Sequence, residues 1–203
     1  MNKFEKALID KLGKERMKKI QKQKIGIAGA GGLGSNCALN LVRSGFKKFI
    51  ICDYDIIEYS NLNRQFYYYF QIGQKKAKTL QRNLQKINTA LEIEVVDKKL
   101  IEKNINKIFS GCDILVEALD NIEGKKMMAE NYISDNRLFV TASGLAGWGD
   151  SDEICVKKIN KNSYMIGDCK TGVSKENPPI SPRVNIAAAK QADIILNYVL
   201  EEL

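Results

Sequence analysis

The chain of 203 residues contains no histidine. Histidine is the one side chain whose ordinary pKa lets it gain and lose a proton between about pH 5 and 8. Its absence excludes mechanisms that need an imidazole base, including Ser–His hydrolysis and hydride transfer assisted by histidine. A reaction at neutral pH has to proceed without that group.

Paired cysteines are also missing. The five cysteines, at positions 37, 52, 112, 155 and 169, are an odd number with no C-x-x-C spacing. This pattern is typical of reduced thiols and argues against a disulfide framework or a structural zinc site. Three of the cysteines lie in apolar strand or helix contexts, where we expect them to fill the core.

Long apolar runs are absent too. No run approaches the roughly 18 residues that a membrane span needs, and residues 1–21 are charged, unlike a signal peptide. We therefore expect a cytoplasmic protein that does not enter a membrane. A chain of this length predicts one domain over residues 1–203.

Positive charge is in excess, with a formal net charge of +8. This balance suits an anionic ligand or an acidic partner. The basic residues are spread along the chain, which does not favour nucleic-acid binding, although the segment 3–24 is dense in lysine.

The sequence does contain a glycine-rich loop between a buried strand and a helix. Residues 25–28 form a short apolar run, and Gly29, Gly31 and Gly34 then spell G-x-G-x-x-G, with Gly32 as a fourth glycine. A helical pattern begins at Leu33. Such a loop lets the backbone approach a phosphate, and the helix N-terminus directs free N–H groups at it. The stretch predicts a nucleotide site without specifying the nucleotide.

Two further polar positions follow predicted strands. Asp53 lies at the end of the second strand, 19 residues beyond Gly34, close to the spacing at which an acid binds ribose hydroxyls. Asp120 and Asn121 follow the fourth strand, at the edge where open α/β sheets bind ligands. The alternative for each aspartate is a local one, a helix cap or a turn residue.

The order of the elements predicts an α/β fold, a Rossmann-like doubly wound and mostly parallel sheet with an antiparallel C-terminal extension. Strands are predicted at 25–28, 48–53, 92–96, 113–118 and 138–142, and a hairpin at 153–159 and 163–166. Helices are predicted at 2–22, from 33 onward, and at 73–88, 101–109, 122–134 and 184–200. Residues 167–182 are predicted to be irregular, and the aromatic run 66–70 to be core or a dimer interface.

Two cations and a carboxylate are predicted near the glycine loop. Arg64, Lys76 and Asp120 all lie on loops or helix starts that follow parallel strands. This set suits phosphoryl or nucleotidyl transfer, because cations offset developing negative charge and a carboxylate holds Mg²⁺. A plain dehydrogenase would also need a substrate domain, for which this chain has no room.

At these positions the sequence resembles the ThiF/MoeB/HesA family, relatives of the ubiquitin-activating enzymes. The matching motifs are G-A-G-G-L-G-S at 29–35, D-x-D at 53–55, S-N-L-N-R-Q at 60–65, G-Q-x-K at 73–76 and L-D-N at 119–121. They occur in order, and the resemblance covers roughly residues 15–200. The compact size and the P-R-V segment at 182–184 are most similar to the short, zinc-free ThiF-like branch.

The resemblance implies adenylylation of the C-terminal glycine of a small ubiquitin-like sulfur carrier protein, using ATP and Mg²⁺ and releasing pyrophosphate. It also implies a homodimer, a carrier ending in Gly-Gly and a cysteine-desulfurase-type sulfur donor. The nucleotide-binding residues that it implies are Gly29, Gly31, Gly32, Gly34, Asp53, Asp55, Asn61, Arg64, Gln65, Lys76, Asp120 and Asn121.

Within that set, the resemblance gives Arg64, Lys76 and Asp120 the catalytic roles. Arg64 and Lys76, with Asn61, contact the phosphates, and Asp120 holds Mg²⁺. The backbone of Gly31 and its neighbour 32 approaches the phosphates, while the acid at 53 binds the ribose.

Three family features have no matching motif here. Paired C-x-x-C motifs are missing, so no zinc is expected. Some members carry a loop cysteine that joins the acceptor through sulfur, and Cys169 is the candidate counterpart, with an ordinary loop cysteine as the alternative. Members also use an N-terminal arginine in the partner's ATP site, and Arg16 does not stand at the matching place.

The resemblance favours thiamine biosynthesis, with a molybdopterin-type or other sulfur carrier as an alternative. An acceptor peptide or a small-molecule carboxylate also remains open. From other functional classes, the alternatives are an NAD-binding redox or sensor module, which would ignore Mg²⁺, and a non-catalytic scaffold paired with an active partner.

Overall fold

The computed structural model describes residues 1–201, so positions 202 and 203 of the predicted domain lie outside the described residues. Its centre is a seven-stranded sheet in the order β3-β2-β1-β4-β5-β7-β6. The strands are β1 (Lys24–Ala28), β2 (Lys48–Cys52), β3 (Glu92–Val96), β4 (Ile114–Glu117), β5 (Leu138–Ala142), β6 (Cys155–Lys158) and β7 (Ser163–Gly167). All neighbouring pairs are parallel except β6 and β7, which are antiparallel. The predicted fold class and the C-terminal hairpin are confirmed.

Helices cover both faces of the sheet, which is why the central strands are apolar over most of their length. The helices are α1 (Lys3–Leu12), α2 (Lys14–Lys22), α3 (Gly32–Arg43), α4 (Lys76–Gln85), α5 (Glu102–Phe109), α6 (Ile122–Tyr132) and α7 (Ser181–Glu201). Residues of α2, α3, α4 and α7 form one core on one face, and residues of α5 and α6 form a second core on the other. Among residues 1–201, none of these helices is both long and apolar enough to cross a membrane.

The strand order reverses between β1 and β4: β2 and β3 lie on the β1 side, and the later strands lie on the β4 side. Ala28, the last residue of β1, pairs with Cys52 on one side and Glu117 on the other. The loops that follow these three strands therefore leave the sheet at one level. Open α/β sheets bind their ligands in the crevice at such a reversal.

The cysteines are all free, and Cys37, Cys52 and Cys112 are buried, as predicted for core residues, whereas Cys155 and Cys169 are exposed. Burial raises the pKa of the Cys52 and Cys112 thiols to about 12. These two thiols stay protonated and unreactive at neutral pH.

The prediction of one continuous N-terminal helix over residues 2–22 is wrong, because the structure has two helices there. The helix is interrupted at Gly13, whose φ is 85°, and α1 and α2 lie on either side of it. Gly13 ends the first helix in a conformation that other residues rarely adopt, and its N–H still bonds to Ile9 O at 2.8 Å. The apolar stripe alone did not reveal this corner.

The irregular segment 167–182 is anchored at both ends by a buried ion pair. Asp168 follows β7, Arg183 lies in the first turn of α7, and both are almost fully buried and bonded to each other. Asp168 also accepts bonds from the backbone N–H of Lys170 at 2.7 Å and of Thr171 at 2.9 Å. The segment thus has few regular bonds of its own but is fixed to the C-terminal edge of the sheet.

Replacing Asp168 by asparagine is expected to destabilise the fold by about 3–5 kcal/mol at neutral pH, because Arg183 is left as an uncompensated buried charge. Burial alone would raise the pKa of Asp168, but the hydrogen bonds from Thr171 and Lys170 and the charge of Arg183 outweigh it and lower the pKa. A lowered pKa gives a stabilisation that is complete above the unfolded-state value of about 4 and is lost as the pH falls through the folded-state value.

Urea unfolding of both proteins from pH 7 down to pH 3 measures this effect. The difference in unfolding free energy is expected to be largest at neutral pH and to shrink below about pH 4. Asp193→Asn, on the exposed side of α7, is the control, with an expected change within about 0.5 kcal/mol. A difference for Asp168→Asn that does not vary with pH would contradict the prediction.

Candidate functional site

Two glycines of the loop after β1 are required by the packing of the chain itself. Gly29 has a φ of 98°, and a Cβ there would lie 2.6 Å from Ala118 O. A Cβ on Gly34 would lie 1.9 Å from Gly29 O, so α3 can cross β1 this closely only without a side chain. These glycines shape the loop.

Gly31 is different, because no packing contact requires a glycine there. Its φ is −79°, and a Cβ would meet only Gln65 Nε2, at an ordinary 3.7 Å. Gly31 caps α3 without a side-chain hydrogen bond, so the first N–H groups of the helix have no capping side chain. A bare backbone at a helix N-terminus is the arrangement that admits a phosphate.

Hydrogen bonds that join the glycine loop to Asp53 and Tyr67 hold that loop in place. Asp53 accepts bonds from Ala30 N at 2.6 Å and from Asp55 N at 2.8 Å. The Tyr67 hydroxyl donates to Ala30 O at 2.7 Å. Burial raises the pKa of Asp53, although these backbone bonds and the charge of Lys76 act against it. Asp53 therefore fixes the loop, and its carboxylate keeps lone pairs for a further donor such as a ribose hydroxyl.

Lys76 is a buried cation at the first residue of α4. Its Nζ donates to Asp55 Oδ2 at 2.9 Å, and its side chain is 9% exposed whereas that of Asp55 is 44% exposed. A positive charge at a helix N-terminus is opposed by the helix dipole, and burying it adds a desolvation penalty. Both the helix dipole and burial therefore disfavour a charged Lys76. Residues placed against such local preferences are typical of functional sites.

Arg64 lies between the glycine loop and Asp120. Its side-chain Cγ would lie 3.3 Å from a Cβ on Gly32, and its Nη1 donates to Ser60 O at 3.1 Å and Asn63 Oδ1 at 2.7 Å. Burial lowers the pKa of Arg64, and the charge of Asp120 acts in the opposite direction. Two residues 56 positions apart are thus close enough for the charge of one to act on the other.

The cap of α6 is Asn121 and not Asp120. Asn121 Oδ1 accepts a bond from Gly124 N at 2.7 Å. Among residues 1–201, Asp120 makes no hydrogen bond, and it is exposed at the crevice. Capping therefore does not explain Asp120, whereas it does account for the side chain of Asn121.

The remaining predicted residues support the loop after β2. Asn61 is buried, and its Oδ1 accepts from Glu58 N at 3.0 Å. Gln65 is also buried beside Gly31, and its Oε1 has no hydrogen-bond partner in the described part of the chain. Both side chains are therefore buried in the framework of this loop.

Cys169 is not part of this group of residues. It is exposed in the loop after β7, with a φ of 59°, and its N–H donates to Ser143 O at 3.2 Å. Within residues 1–201, no hydrogen bond or ion pair joins it to the glycine loop, Arg64, Lys76 or Asp120.

The aromatic run 66–70 divides between core and surface. Tyr67 is buried, whereas Tyr68, Tyr69 and Phe70 are exposed, the rings of Tyr68 and Phe70 lying parallel with centroids 5.8 Å apart. The prediction of core or interface therefore holds as core for Tyr67, and the exposed part remains a predicted dimer interface.

The donor set fits Mg²⁺ only together with a phosphate ligand. In the described chain, no three histidine, cysteine or acidic residues converge on one point. Mg²⁺ commonly takes one or two carboxylates plus substrate phosphate oxygens and water. Asp120 would supply the protein carboxylate in that arrangement.

Three contributing residues were not predicted. Tyr67 was assigned only to an aromatic cluster, although its hydroxyl holds the glycine loop. Glu117, which is fully buried three residues before Asp120, forms an ion pair with Lys125. The available signal was a glutamate at the end of the apolar run 114–118, where an uncharged residue is the rule.

Comparison with known proteins was consistent with this site. The sequence matches the ThiF family over residues 5–198. It is 38% identical over 144 residues to SUMO-activating enzyme subunit 2 of Dictyostelium discoideum, covering 70% of this chain and 22% of that protein. It is 28% identical over 173 residues to the adenylyltransferase and sulfurtransferase MOCS3 of Anopheles gambiae, covering 85% of this chain and 37% of that protein.

The fold is also similar to that of a solved protein of nearly the same length. The E. coli tRNA N6-threonylcarbamoyladenosine dehydratase TcdA, in complex with ATP, matches with a TM-score of 0.81 and 19% identity, covering 97% of this chain and 92% of that chain. At this identity the likeness shows the fold. By contrast, the chain spans between about a fifth and two fifths of the length of the two curated relatives.

Proposed function

The chain belongs to the ThiF family, and we propose that it transfers the adenylyl group of ATP to the carboxylate of an acceptor, releasing pyrophosphate. The observation that carries this proposal is the bare backbone at Gly31, together with Arg64 beside Gly32, the charge of Asp120 acting on Arg64, and the buried Lys76 at the start of α4. Neither the packing of the loop nor helix capping explains this combination.

The chemistry needs no general base. A C-terminal carboxylate has an ordinary pKa of about 3.3–3.7, so it is ionised at neutral pH. Its oxygen forms a bond to the α-phosphorus while the bond from that phosphorus to the bridging oxygen breaks, and the electron pair leaves with pyrophosphate. No proton has to be removed, which accords with a chain that has no histidine.

The rate would come from positioning and charge. The N-terminus of α3, Arg64 and Lys76 would bind phosphate oxygens and offset the negative charge that develops on pyrophosphate. Asp53 would accept a bond from a ribose hydroxyl. Mg²⁺, held by Asp120, would supply further positive charge at the phosphates.

For the acceptor we propose a small ubiquitin-like sulfur carrier ending in Gly-Gly, in thiamine biosynthesis, handled by a cytoplasmic homodimer. Relatives named as an adenylyltransferase and sulfurtransferase and as a SUMO-activating subunit support a small protein acceptor. Sulfur delivery from a cysteine-desulfurase-type donor, through Cys169, belongs to the same proposal.

A second acceptor is favoured by one observation. TcdA, which acts on tRNA N6-threonylcarbamoyladenosine, is matched over nearly the whole of both chains. Threonylcarbamoyladenosine carries a free carboxylate, which is the acceptor group that adenylyl transfer needs. The same adenylyl transfer would then activate a carboxylate on tRNA.

Exchange of labelled pyrophosphate into ATP tests the proposal, because adenylyl transfer to a carboxylate is reversible. We expect exchange only when an acceptor is present, and loss of exchange when the last glycine of a carrier is deleted. Exchange with modified tRNA, and not with carriers, would favour the second acceptor. No exchange with carriers, peptides or modified tRNA would contradict the proposed function.

A further inference from the structure

An ion pair with a fully buried carboxylate lies at the C-terminal end of β4, three residues before Asp120 in the chain. Glu117 is the last residue of that strand, and both of its carboxylate oxygens accept from Lys125 Nζ, at 3.1 and 3.0 Å. Glu117 is 0% exposed, whereas the Lys125 side chain is 30% exposed. The neighbouring residues of the strand are apolar and equally buried.

Stability does not explain why an ion pair is kept there. Burying two charges carries a desolvation penalty, and well-packed apolar residues of similar volume are often as stable or more stable. The pair is nevertheless fully satisfied: Thr141 Oγ1 donates to Glu117 at 2.6 Å, and Lys125 Nζ also donates to Ala142 O at 2.9 Å. The pair therefore joins the ends of β4 and β5 to the first turns of α6.

The third donor to Glu117 is the backbone N–H of Leu119, at 2.7 Å. This bond fixes the peptide group between residues 118 and 119, immediately before Asp120. On the other side of Asp120, Asn121 accepts from Gly124 N at 2.7 Å. Asp120 itself has no hydrogen bond in the described chain, so the two bonded neighbours fix the position of its backbone.

The start of α6 is seated on the same turn. A Cβ on Gly124 would lie 2.7 Å from the Leu119 side chain and 2.9 Å from Asn121 Oδ1. Lys125 follows Gly124 directly and reaches back to Glu117. The turn 118–121 is thus held from the strand by Glu117 and from the helix by Lys125.

We propose that Glu117 and Lys125 are positioning residues that hold Asp120 at the crevice, beside Arg64, and so set the Mg²⁺ dependence of nucleotide binding. The inference rests on the proposed function, and it assigns to these two residues an effect that is transmitted through Asp120. Neither side chain would touch the nucleotide.

The test compares ATP affinity by calorimetry in Mg²⁺ and in EDTA for wild type and Glu117→Gln. Removing a partner behind a metal ligand typically weakens metal-dependent affinity by about tenfold or more. We expect that loss in Mg²⁺ and an unchanged affinity in EDTA. Asp113→Asn removes a carboxylate from the residue just before β4, at the opposite edge of the sheet, where it accepts from Lys24 N at 2.8 Å, and is expected to behave as wild type.

A double-mutant cycle separates positioning from a general structural effect. If Glu117 acts through Asp120, Glu117→Gln has no further effect in an Asp120→Ala background. Lys125→Met is expected to reproduce Glu117→Gln, and Lys125→Arg to retain wild-type binding, so this pair carries the test if Glu117→Gln does not fold.

Additive losses in the cycle, or equal losses in Mg²⁺ and EDTA, would overturn the positioning role. The same holds if wild type binds ATP in a Mg²⁺-dependent way and both Glu117→Gln and Lys125→Met do so equally well. If wild type shows no Mg²⁺-dependent binding of ATP, the proposed function fails as well, so the two failures are distinguishable.

Discussion

Alanine in place of Gly34 is expected to destabilise the protein by about 3 kcal/mol or more and to abolish nucleotide binding. The added Cβ would lie 1.9 Å from Gly29 O and 3.3 Å from the Ala118 side chain. The nearest atom is backbone, which cannot rotate away as a flexible side chain would. Either α3 moves off β1 or the loop opens, and both exceed an ordinary overpacking penalty of about 1–3 kcal/mol.

Gly31→Ala separates folding from binding in the same loop. Its Cβ would make only an ordinary contact at 3.7 Å, so we expect nearly wild-type unfolding and a clear loss of ATP affinity. Gly172→Ala is the control for both, because a Cβ there meets no atom within 4 Å. Denaturant unfolding and calorimetry on the three variants measure the two effects. Wild-type ATP affinity in Gly31→Ala would contradict the assignment of a phosphate to this position.

Methionine in place of Lys76 is expected to reduce kcat for pyrophosphate exchange by about 10²–10³-fold, the usual loss on removing one preorganised group that stabilises developing charge. The free energy of unfolding is expected to change little, because the partner left behind, Asp55, is 44% exposed and can be solvated. The apolar part of the side chain is retained in methionine.

The neighbouring residue provides a matched control. Lys75 Nζ bonds to Tyr54 O at 2.8 Å and pairs with Asp97 at 3.1 Å, with a side chain that is 47% exposed. Lys75→Met removes the same charge one residue away and is expected to leave kcat within about twofold, since exposed ion pairs contribute little. Equal losses in the two variants would show a general effect of net charge instead of a role for Lys76.

Much of the fold could be predicted because its signals are local. The strand Glu92–Val96 and the strand Leu138–Ala142 have the predicted bounds, since short runs of β-branched or aromatic residues flanked by turns define them. The break at Gly13 could not be predicted from periodicity, because the apolar stripe continues across it in a new helix. That corner depends on a backbone conformation that only the folded chain reveals.

The sequence predicted which residues lie at this edge of the sheet, but not what each of them does there. The positions of Asp53 and Asp120 after their strands follow from the order of the elements, yet the spacing could not distinguish a helix cap from a residue that is free of local bonds. The structure assigns the cap to Asn121 and leaves Asp120 without a hydrogen bond in the described chain. The pair of Glu117 and Lys125, eight residues apart, depends on how α6 packs on β4, and the spacing of the two residues does not reveal that packing.

The most direct test of the adenylation site is calorimetry of ATP, with and without Mg²⁺, and of NAD⁺, on wild type and Asp120→Ala. The site predicts ATP binding that is strengthened by Mg²⁺ in wild type, a loss of most of that strengthening in Asp120→Ala, and no comparable affinity for NAD⁺. Binding of NAD⁺ that ignores both Mg²⁺ and Asp120 would contradict it and would indicate a redox or sensor module instead.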